Sequence, residues 1–140
     1  MRSLGLDIGD RRIGVAISDP SGFLASPLTT VVRDDDERAI AKIIKFLNQY
    51  QVGRVVVGLP RLLDGSFGEQ ARKTAHFTEK LSKQAGVDIE SWDERFSTVA
   101  AEGLMIEAGM RKAKRKSQRD AAAAALILQG YLDSLTDSAK

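Results

Sequence analysis

Hydrophobic residues alternate with small or polar residues along the first part of the chain, and this alternation stops before residue 40. The alternating positions are 4–8 and 13–17. A period of two is that of a half-buried strand, and the turn at 9–11 between the two runs predicts a hairpin. After a second turn signal, residues 23–32 are predicted as a third strand, bent near Pro27. The chain therefore opens with three antiparallel strands.

The remainder of the chain changes to helical spacing interrupted by short apolar runs. The predicted elements are a helix that begins in the acidic stretch 34–37, a strand at 54–58, a helix at 69–85 that stops at Gly86, a strand at 87–92, a helix from Ser97 or Thr98 to 108, and a helix at about 118–135. This order predicts an α/β fold with a five-stranded mixed sheet and helices on both faces. Ribonuclease H-like folds are built this way, although the order alone does not exclude other α/β folds.

Length and composition limit the classes of protein that the chain can represent. Its 140 residues suit a single domain, residues 1–140. The absence of cysteine excludes disulfides, thiolate nucleophiles and cysteine-ligated metals. No apolar run is long enough to span a membrane, and no secretory segment follows Met1, so we expect a cytoplasmic protein that has no membrane partner.

Three carboxylates occupy positions where a functional role competes with a structural one. Asp7 interrupts the glycine- and alanine-rich face of a strand expected to be central, but it could also accept hydrogen bonds from the Gly9–Arg12 turn or pair with Arg11 or Arg12. Glu94 lies just after the fifth strand, and its structural alternatives are an acid at the entry of the next helix or a salt bridge to Arg95. Asp120 is predicted to begin the last helix, where it could instead cap Ser117 in a capping box.

Considered together, the three carboxylates favour a metal site. They can converge only if the last helix packs across the face of the sheet, and three close carboxylates would repel one another without a cation. Oxygen-only ligands suit Mg²⁺ or Mn²⁺, and two such ions can activate water and stabilise the leaving oxygen of a phosphodiester. We therefore predict Asp7, Glu94 and Asp120 as metal ligands and catalytic residues.

Basic residues are concentrated immediately before Asp120, in a chain whose net charge is only +2. Such a local concentration suits the phosphate backbone of a nucleic acid, although a solvated loop is the structural alternative. Arg12 and Arg95, beside the predicted acidic site, are added to this set. The predicted nucleic-acid-binding residues are Arg12, Arg95, Arg111, Lys112, Lys114, Arg115, Lys116 and Arg119.

The motifs resemble those of the YqgF family, also described as RuvX-type candidate Holliday junction resolvases. The matching stretches are 6–9 with 12–16, 57–60 with 64–66, 93–95 with 97–98, and Asp120 with 122–123, 127–128 and 131–132. The resemblance implies a ribonuclease H-like fold and a nuclease for structured nucleic acid, with Asp7, Glu94 and Asp120 at the family's acidic positions. It also implies two functions, 5′-end maturation of precursor 16S ribosomal RNA and resolution of branched DNA.

Two competing interpretations remain open at this stage. One is half of an actin-like ATPase, which is disfavoured because those enzymes hold nucleotide between two domains and this chain supplies one. The other is a nucleic-acid-binding or ribosome-assembly protein that has the fold without catalysis. Symmetric cutting of a four-way junction would favour a homodimer with two sites.

Overall fold

The computed structural model describes residues 1–60, 68–93 and 112–138. In chain order the elements are β1 Arg2–Ile8, β2 Arg12–Ser18, β3 Ala25–Val32, α1 Asp36–Gln49, β4 Val52–Leu59, α2 Glu69–Ala85, β5 Asp88–Asp93 and α3 Lys112–Ser138. The helix predicted at 97–108 lies outside the described residues. No helix in the described ranges is long and apolar enough to cross a membrane.

The strands form one five-stranded mixed sheet in the order β3-β2-β1-β4-β5. β1 and β2 pair antiparallel, as do β2 and β3, whereas β1–β4 and β4–β5 are parallel. The predicted bend near Pro27 is confirmed, because the partners of β2 in β3 jump from Thr29 to Pro27 at a bulge. β1 is the central strand, as expected for the strand that carries Asp7.

Helices cover both faces of this sheet, which confirms the predicted layer order. Leu4, Leu6 and Ile8 of β1 point into a core shared with α1 and α2, where Ile40 and Phe77 are fully buried. On the opposite face α3 forms a smaller core from the sheet and helix residues Ala16, Val56, Ala124, Ala125, Ile127, Leu128 and Leu132. The run Val55-Val56-Val57 is continuously apolar because its alternate residues enter different cores.

The predicted ends of several elements are confirmed by specific capping contacts. α1 begins in the acidic stretch, where the side chain of Asp35 accepts a hydrogen bond from the Glu37 backbone N–H. α2 ends at Ala85, and Gly86 follows in the left-handed conformation with φ 68°. Both helix signals therefore acted as the sequence predicts.

The predicted start of the third strand was wrong by two residues. β3 begins at Ala25, because the side chain of Asp19 accepts hydrogen bonds from the backbone N–H groups of Phe23 and Leu24. These contacts extend the turn at the expense of the strand.

The predicted start of the last helix was also wrong. α3 includes residues 112–117, so the basic segment is helical along these positions and does not form a loop before the helix. Lysine, arginine, alanine and serine at 112–117 offer no proline or glycine to stop a helix. These residues carry no apolar period, however, so no pattern predicts that the helix extends that far.

Candidate active site

Asp7 is the penultimate residue of β1, half-buried on the sheet face that α3 covers. Its partner across the β1–β2 ladder is Gly14. Side chains directly opposite each other in an antiparallel pair lie on the same face, so Asp7 and Gly14 share the surface beneath α3. Leu6 and Ile8 point to the other face, into the core with α1 and α2.

Glycines allow α3 to lie almost directly on this surface. A Cβ atom at Gly14 would collide with the backbone carbonyl of Asp120, and one at Gly5 would lie 2.9 Å from the carbonyl oxygen of Ala124. The absence of a side chain at both positions therefore sets the height of the helix above the sheet. This close approach brings the Asp120 backbone over the residue that pairs with Asp7.

Arg12 links β2 to α3 at this point. Its Nε lies 2.9 Å from Oδ2 of Asp120, and the two side chains are 69% and 30% exposed. Arg12 was considered as a partner of Asp7, but the ion pair is made with Asp120. With most of its side chain exposed, Arg12 remains accessible to an anion from solvent.

The capping interpretation of Asp120 was wrong. Ser117 lies inside α3, which already includes Lys112, so Ser117 is not the residue at which this helix begins. Asp120 therefore does not open the helix either, and it lies more than two turns from Lys112. A capping box requires a non-helical first residue, which these positions do not provide.

The turn after Asp7 is fixed by Arg33, in the segment between β3 and α1, and by Gln70 of α2. Within the turn the Gly9 N–H donates to the Arg12 carbonyl at 2.9 Å. Arg33 Nη1 donates to the Gly9 carbonyl at 2.9 Å, and Gln70 Nε2 donates to the Ile8 carbonyl at 3.3 Å. The backbone that carries Asp7 into the site is therefore held from outside the sheet.

Arg33 is itself held by Asp36 and Phe77, and no local sequence pattern indicates this role. Its Nε lies 2.9 Å from Oδ1 of Asp36, and its guanidinium stacks 4.8 Å from the centre of the Phe77 ring. The Arg33 hydrogen bond, with a further contribution from Lys80, lowers the pKa of the Asp36 carboxyl below its ordinary value. Asp36 thus remains ionised and keeps Arg33 against the turn.

The third predicted ligand cannot be located relative to the other two, because Glu94 lies outside the described residues, as do Arg95 and Arg111. Within the described ranges no group of three or more histidine, cysteine, aspartate or glutamate residues is close enough to hold a metal ion.

Asp93 ends β5, and the preceding Trp92 lies against Tyr131 of α3 with ring centres 6.0 Å apart. Strand alternation therefore directs Asp93 away from the α3 face.

The basic residues are only partly described. Lys112, Lys114, Arg115 and Lys116 belong to α3, and Arg119 is exposed one residue before Asp120. Arg12 and Arg119 are thus the members of the predicted basic set whose side chains are described, and both adjoin the Asp120 region.

Known proteins related to this chain match it along nearly its whole length. The family model described as "RuvX: Holliday junction resolvase" matches residues 1–134. A protein of Desulforamulus reducens is 46% identical over 134 residues, covering 96% of this chain and 98% of the relative. One of Clostridium novyi is 48% identical over 135 residues, covering 96% of this chain and 100% of the relative. Both relatives are named as candidate pre-16S rRNA nucleases.

Solved structures agree with the fold. Thermus thermophilus RuvC in complex with a Holliday junction substrate superposes with a TM-score of 0.67 at 17% identity, covering 99% of this chain and 97% of RuvC. The Holliday junction resolvase of fowlpox virus gives a TM-score of 0.60 at 16% identity, covering 96% and 99%. Together with the family match along residues 1–134, these similarities establish that the chain belongs to the RuvX family and has the ribonuclease H-like fold of the resolvases.

Proposed function

We propose that this protein is a metal-dependent nuclease that hydrolyses phosphodiester bonds in structured nucleic acid, with precursor 16S ribosomal RNA as its substrate. The observation that carries the proposal is the approach of α3 to Gly14, which brings Asp120 over the residue paired with Asp7. In this proposal the Asp7 and Asp120 carboxylates, on facing elements at the end of the central strand, together form an oxygen-rich site for metal. Family membership and the names of the relatives support the same chemistry.

The donor set fits Mg²⁺ or Mn²⁺ better than a softer metal. Asp7 and Asp120 offer carboxylate oxygens, and neither histidine nor cysteine lies among the proposed ligands. We assign Glu94, one residue beyond β5, as the third ligand. Bound divalent ions at such a site supply a water of lowered pKa and stabilise the negative charge that develops on the phosphodiester.

Arg12 is proposed to guide the scissile phosphate to the carboxylates. Its Nε–H is directed to Asp120, which fixes one side of the guanidinium, while 69% of the side chain is exposed. The remaining N–H groups can donate to a phosphate oxygen without breaking that ion pair. The same contact keeps the Asp120 carboxylate oriented before substrate arrives.

The basic positions of α3 would hold the phosphate backbone next to the site. Arg119 directly precedes Asp120 in an exposed position, and four further basic residues occupy 112–116. Arg95 and Arg111 are proposed to contact the nucleic acid as well. Contacts of this kind set the position of a strand without reading its sequence.

Four-way DNA junctions are the alternative substrate, favoured by the description of the family model. Cutting both strands of a junction symmetrically requires two active sites, so this function would need a homodimer. Ribosomal RNA maturation requires only one site per event. The substrates therefore predict different assembly states as well as different products.

The test compares three substrates under one set of conditions: a precursor 16S ribosomal RNA fragment, an unstructured single-stranded RNA and a four-way DNA junction. We expect Mg²⁺- or Mn²⁺-dependent cleavage of the precursor at its 5′ side and loss of cleavage in Asp7→Asn. Asp88→Asn, an exposed carboxylate at the start of β5, is the matched control and should cleave normally. Undiminished cleavage by folded Asp7→Asn would exclude Asp7 as a ligand, and binding without cleavage by the wild-type protein would favour a non-catalytic role.

A further inference from the structure

A cleft of about 590 Å³ lies between the edge strand β3 and the helix α3. Its described lining consists of two threonines, one glutamine and three apolar residues: Pro27, Leu28, Thr29, Thr30, Gln118 and Ala121. This volume lies in the range of small-molecule binding sites. None of these residues has a part in the proposed metal site.

The cleft adjoins that site through the sheet register. Thr30 pairs with Gly14 across β2 and β3, and Gly14 is the residue on which the Asp120 carbonyl rests. Directly opposed residues share a face, so Thr30 lies on the α3 side of the sheet. Gln118 and Ala121 flank Asp120 along the helix. A strand with a phosphate at Asp7 and Asp120 would therefore have its neighbouring nucleotide beside the cleft.

The chemistry of the lining indicates which part of a nucleotide fits. Of the two threonines, Thr30 faces α3, and its hydroxyl and the Gln118 amide can each donate and accept hydrogen bonds. Pro27 and Ala121 can contact the C–H surface of a sugar, whereas Leu28 packs against the core on the opposite face of the sheet. These groups match a ribose and its hydroxyl groups.

We propose that this cleft binds the ribose of a nucleotide next to the scissile phosphate and recognises its 2′-hydroxyl, with Thr30 and Gln118 as the hydrogen-bonding residues. The inference rests on the proposed nuclease function and deepens it. The 2′-hydroxyl is the group by which a protein distinguishes RNA from DNA at a given position. The cleft therefore makes ribonucleotide the preferred substrate at that position.

The experiment uses an RNA that the wild-type protein cleaves, together with a set of copies that each carry one 2′-deoxynucleotide near the cleavage site. We expect one position at which the deoxy replacement lowers kcat/KM about tenfold, the effect of losing one well-made hydrogen bond. In Thr30→Val or Gln118→Ala, kcat/KM for the all-RNA substrate should fall. The deoxy replacement should then lower kcat/KM little further, because the hydrogen-bond partner of the 2′-hydroxyl is already missing.

Two variants serve as controls for this experiment. Thr30→Ser keeps a hydroxyl, so the 2′-deoxy replacement should again lower kcat/KM as in the wild-type protein, an effect called the deoxy penalty. This result would show that the hydroxyl of residue 30 is needed for recognition and that the effect of Thr30→Val is not a packing defect. Thr78→Val makes the same substitution in α2 on the opposite side of the sheet, where the hydroxyl donates to the Thr74 carbonyl within the helix at 2.7 Å. It should leave the deoxy penalty unchanged.

The outcomes separate this inference from the proposed function. Cleavage of RNA without a deoxy penalty at any position, or a full penalty in both Thr30→Val and Gln118→Ala, would overturn the ribose site and leave the nuclease intact. If the wild-type protein cleaves nothing, fluorescence anisotropy with RNA and DNA of identical sequence decides the question. A preference for RNA that disappears in Thr30→Val supports the cleft, and a preference unaffected by the substitution, or none, overturns it.

Discussion

The ion pair between Arg12 and Asp120 joins residues 108 positions apart in sequence and holds the helix to the sheet at the proposed site. Because Arg12 is 69% exposed, solvent screens the attraction, and the pair contributes little to stability, at most about 1 kcal/mol. The main effect of this ion pair is to fix the orientation of the Asp120 carboxylate, which we propose as a metal ligand. The contributions of Asp120 to stability and to catalysis can therefore be separated.

We predict that Asp120→Asn abolishes cleavage while the melting temperature falls by no more than a few degrees. The asparagine oxygen can still accept from Arg12, but a neutral amide is a poor ligand for Mg²⁺. Thermal unfolding and cleavage rates measured on the same preparations give both quantities. Asp133→Asn, an exposed position farther along α3, is the control. A large loss of stability with activity retained would show that Asp120 is a structural residue.

Gly14 tests whether the close approach of α3 matters for function. In Gly14→Ala the new Cβ would fall on the backbone of Asp120, which cannot rotate away as a side chain can. We expect the helix to shift, stability to fall by about 1–3 kcal/mol, and cleavage to fall further because Asp120 moves relative to Asp7. In Gly53→Ala the new Cβ meets only the flexible Met1 side chain. That variant should therefore have almost the stability and the cleavage rate of the wild-type protein. Full activity in Gly14→Ala would show that catalysis does not depend on the close approach of α3 to the sheet.

At the scale of elements, α3 changes how the basic segment can meet a nucleic acid. Successive positions on a helix are 100° apart, so three consecutive residues cannot all lie on one side. Positions 112, 116 and 119 lie on one stripe, whose last residue, Arg119, is exposed beside Asp120. A strand following this stripe would lead directly to the proposed metal site.

We predict that replacing Lys114, Arg115 and Lys116 together with alanine weakens binding of RNA and DNA alike. About one or two phosphate contacts should be lost, which flattens the slope of log K against log salt by about 1 to 2 units. Cleavage at saturating substrate should survive, because none of the three is a proposed ligand. Binding titrations at several salt concentrations measure the slope.

The matched control removes three charges from the opposite face of the sheet, in Lys42→Ala, Lys45→Ala and Lys83→Ala. These lysines are exposed on α1 and α2, so the change in net charge is equal but its position is different. Equal effects of the two triple variants would indicate that net charge, and not the α3 surface, governs binding.

For the molecule as a whole, periodicity predicted the layers because each strand and helix must bury one face. Alternation placed Leu4, Leu6 and Ile8 in one core, and the continuous run 55–57 correctly indicated a strand covered on both sides. The N-terminal turns of α3 were missed because residues 112–117 carry no apolar period.

The candidate site was less predictable than the fold. The small residues around Asp7 indicated room above the strand, and that room is filled by α3 itself at Gly5 and Gly14. The partner of Arg12 and the support of the turn by Arg33 depend on how distant elements pack, which local patterns do not encode. The assignment of Glu94 remains a prediction from sequence.

The last prediction concerns the stability of the whole molecule with and without metal. A ligand that binds only the folded state stabilises it by RT ln(1 + [L]/Kd), about 2.7 kcal/mol at a hundredfold excess over Kd, which for a chain of this length raises the melting temperature by roughly 5–10 °C. We expect Mn²⁺ to produce such a shift in the wild-type protein and in Asp88→Asn, but not in Asp7→Asn or Asp120→Asn. Without metal, Asp7→Asn should melt at or above the wild-type temperature, because it removes one of the carboxylates that repel each other. Calorimetry with and without Mn²⁺ measures both effects. An equal Mn²⁺ shift in all four proteins would mean that the ion binds elsewhere, and the metal site would have to be assigned to other residues.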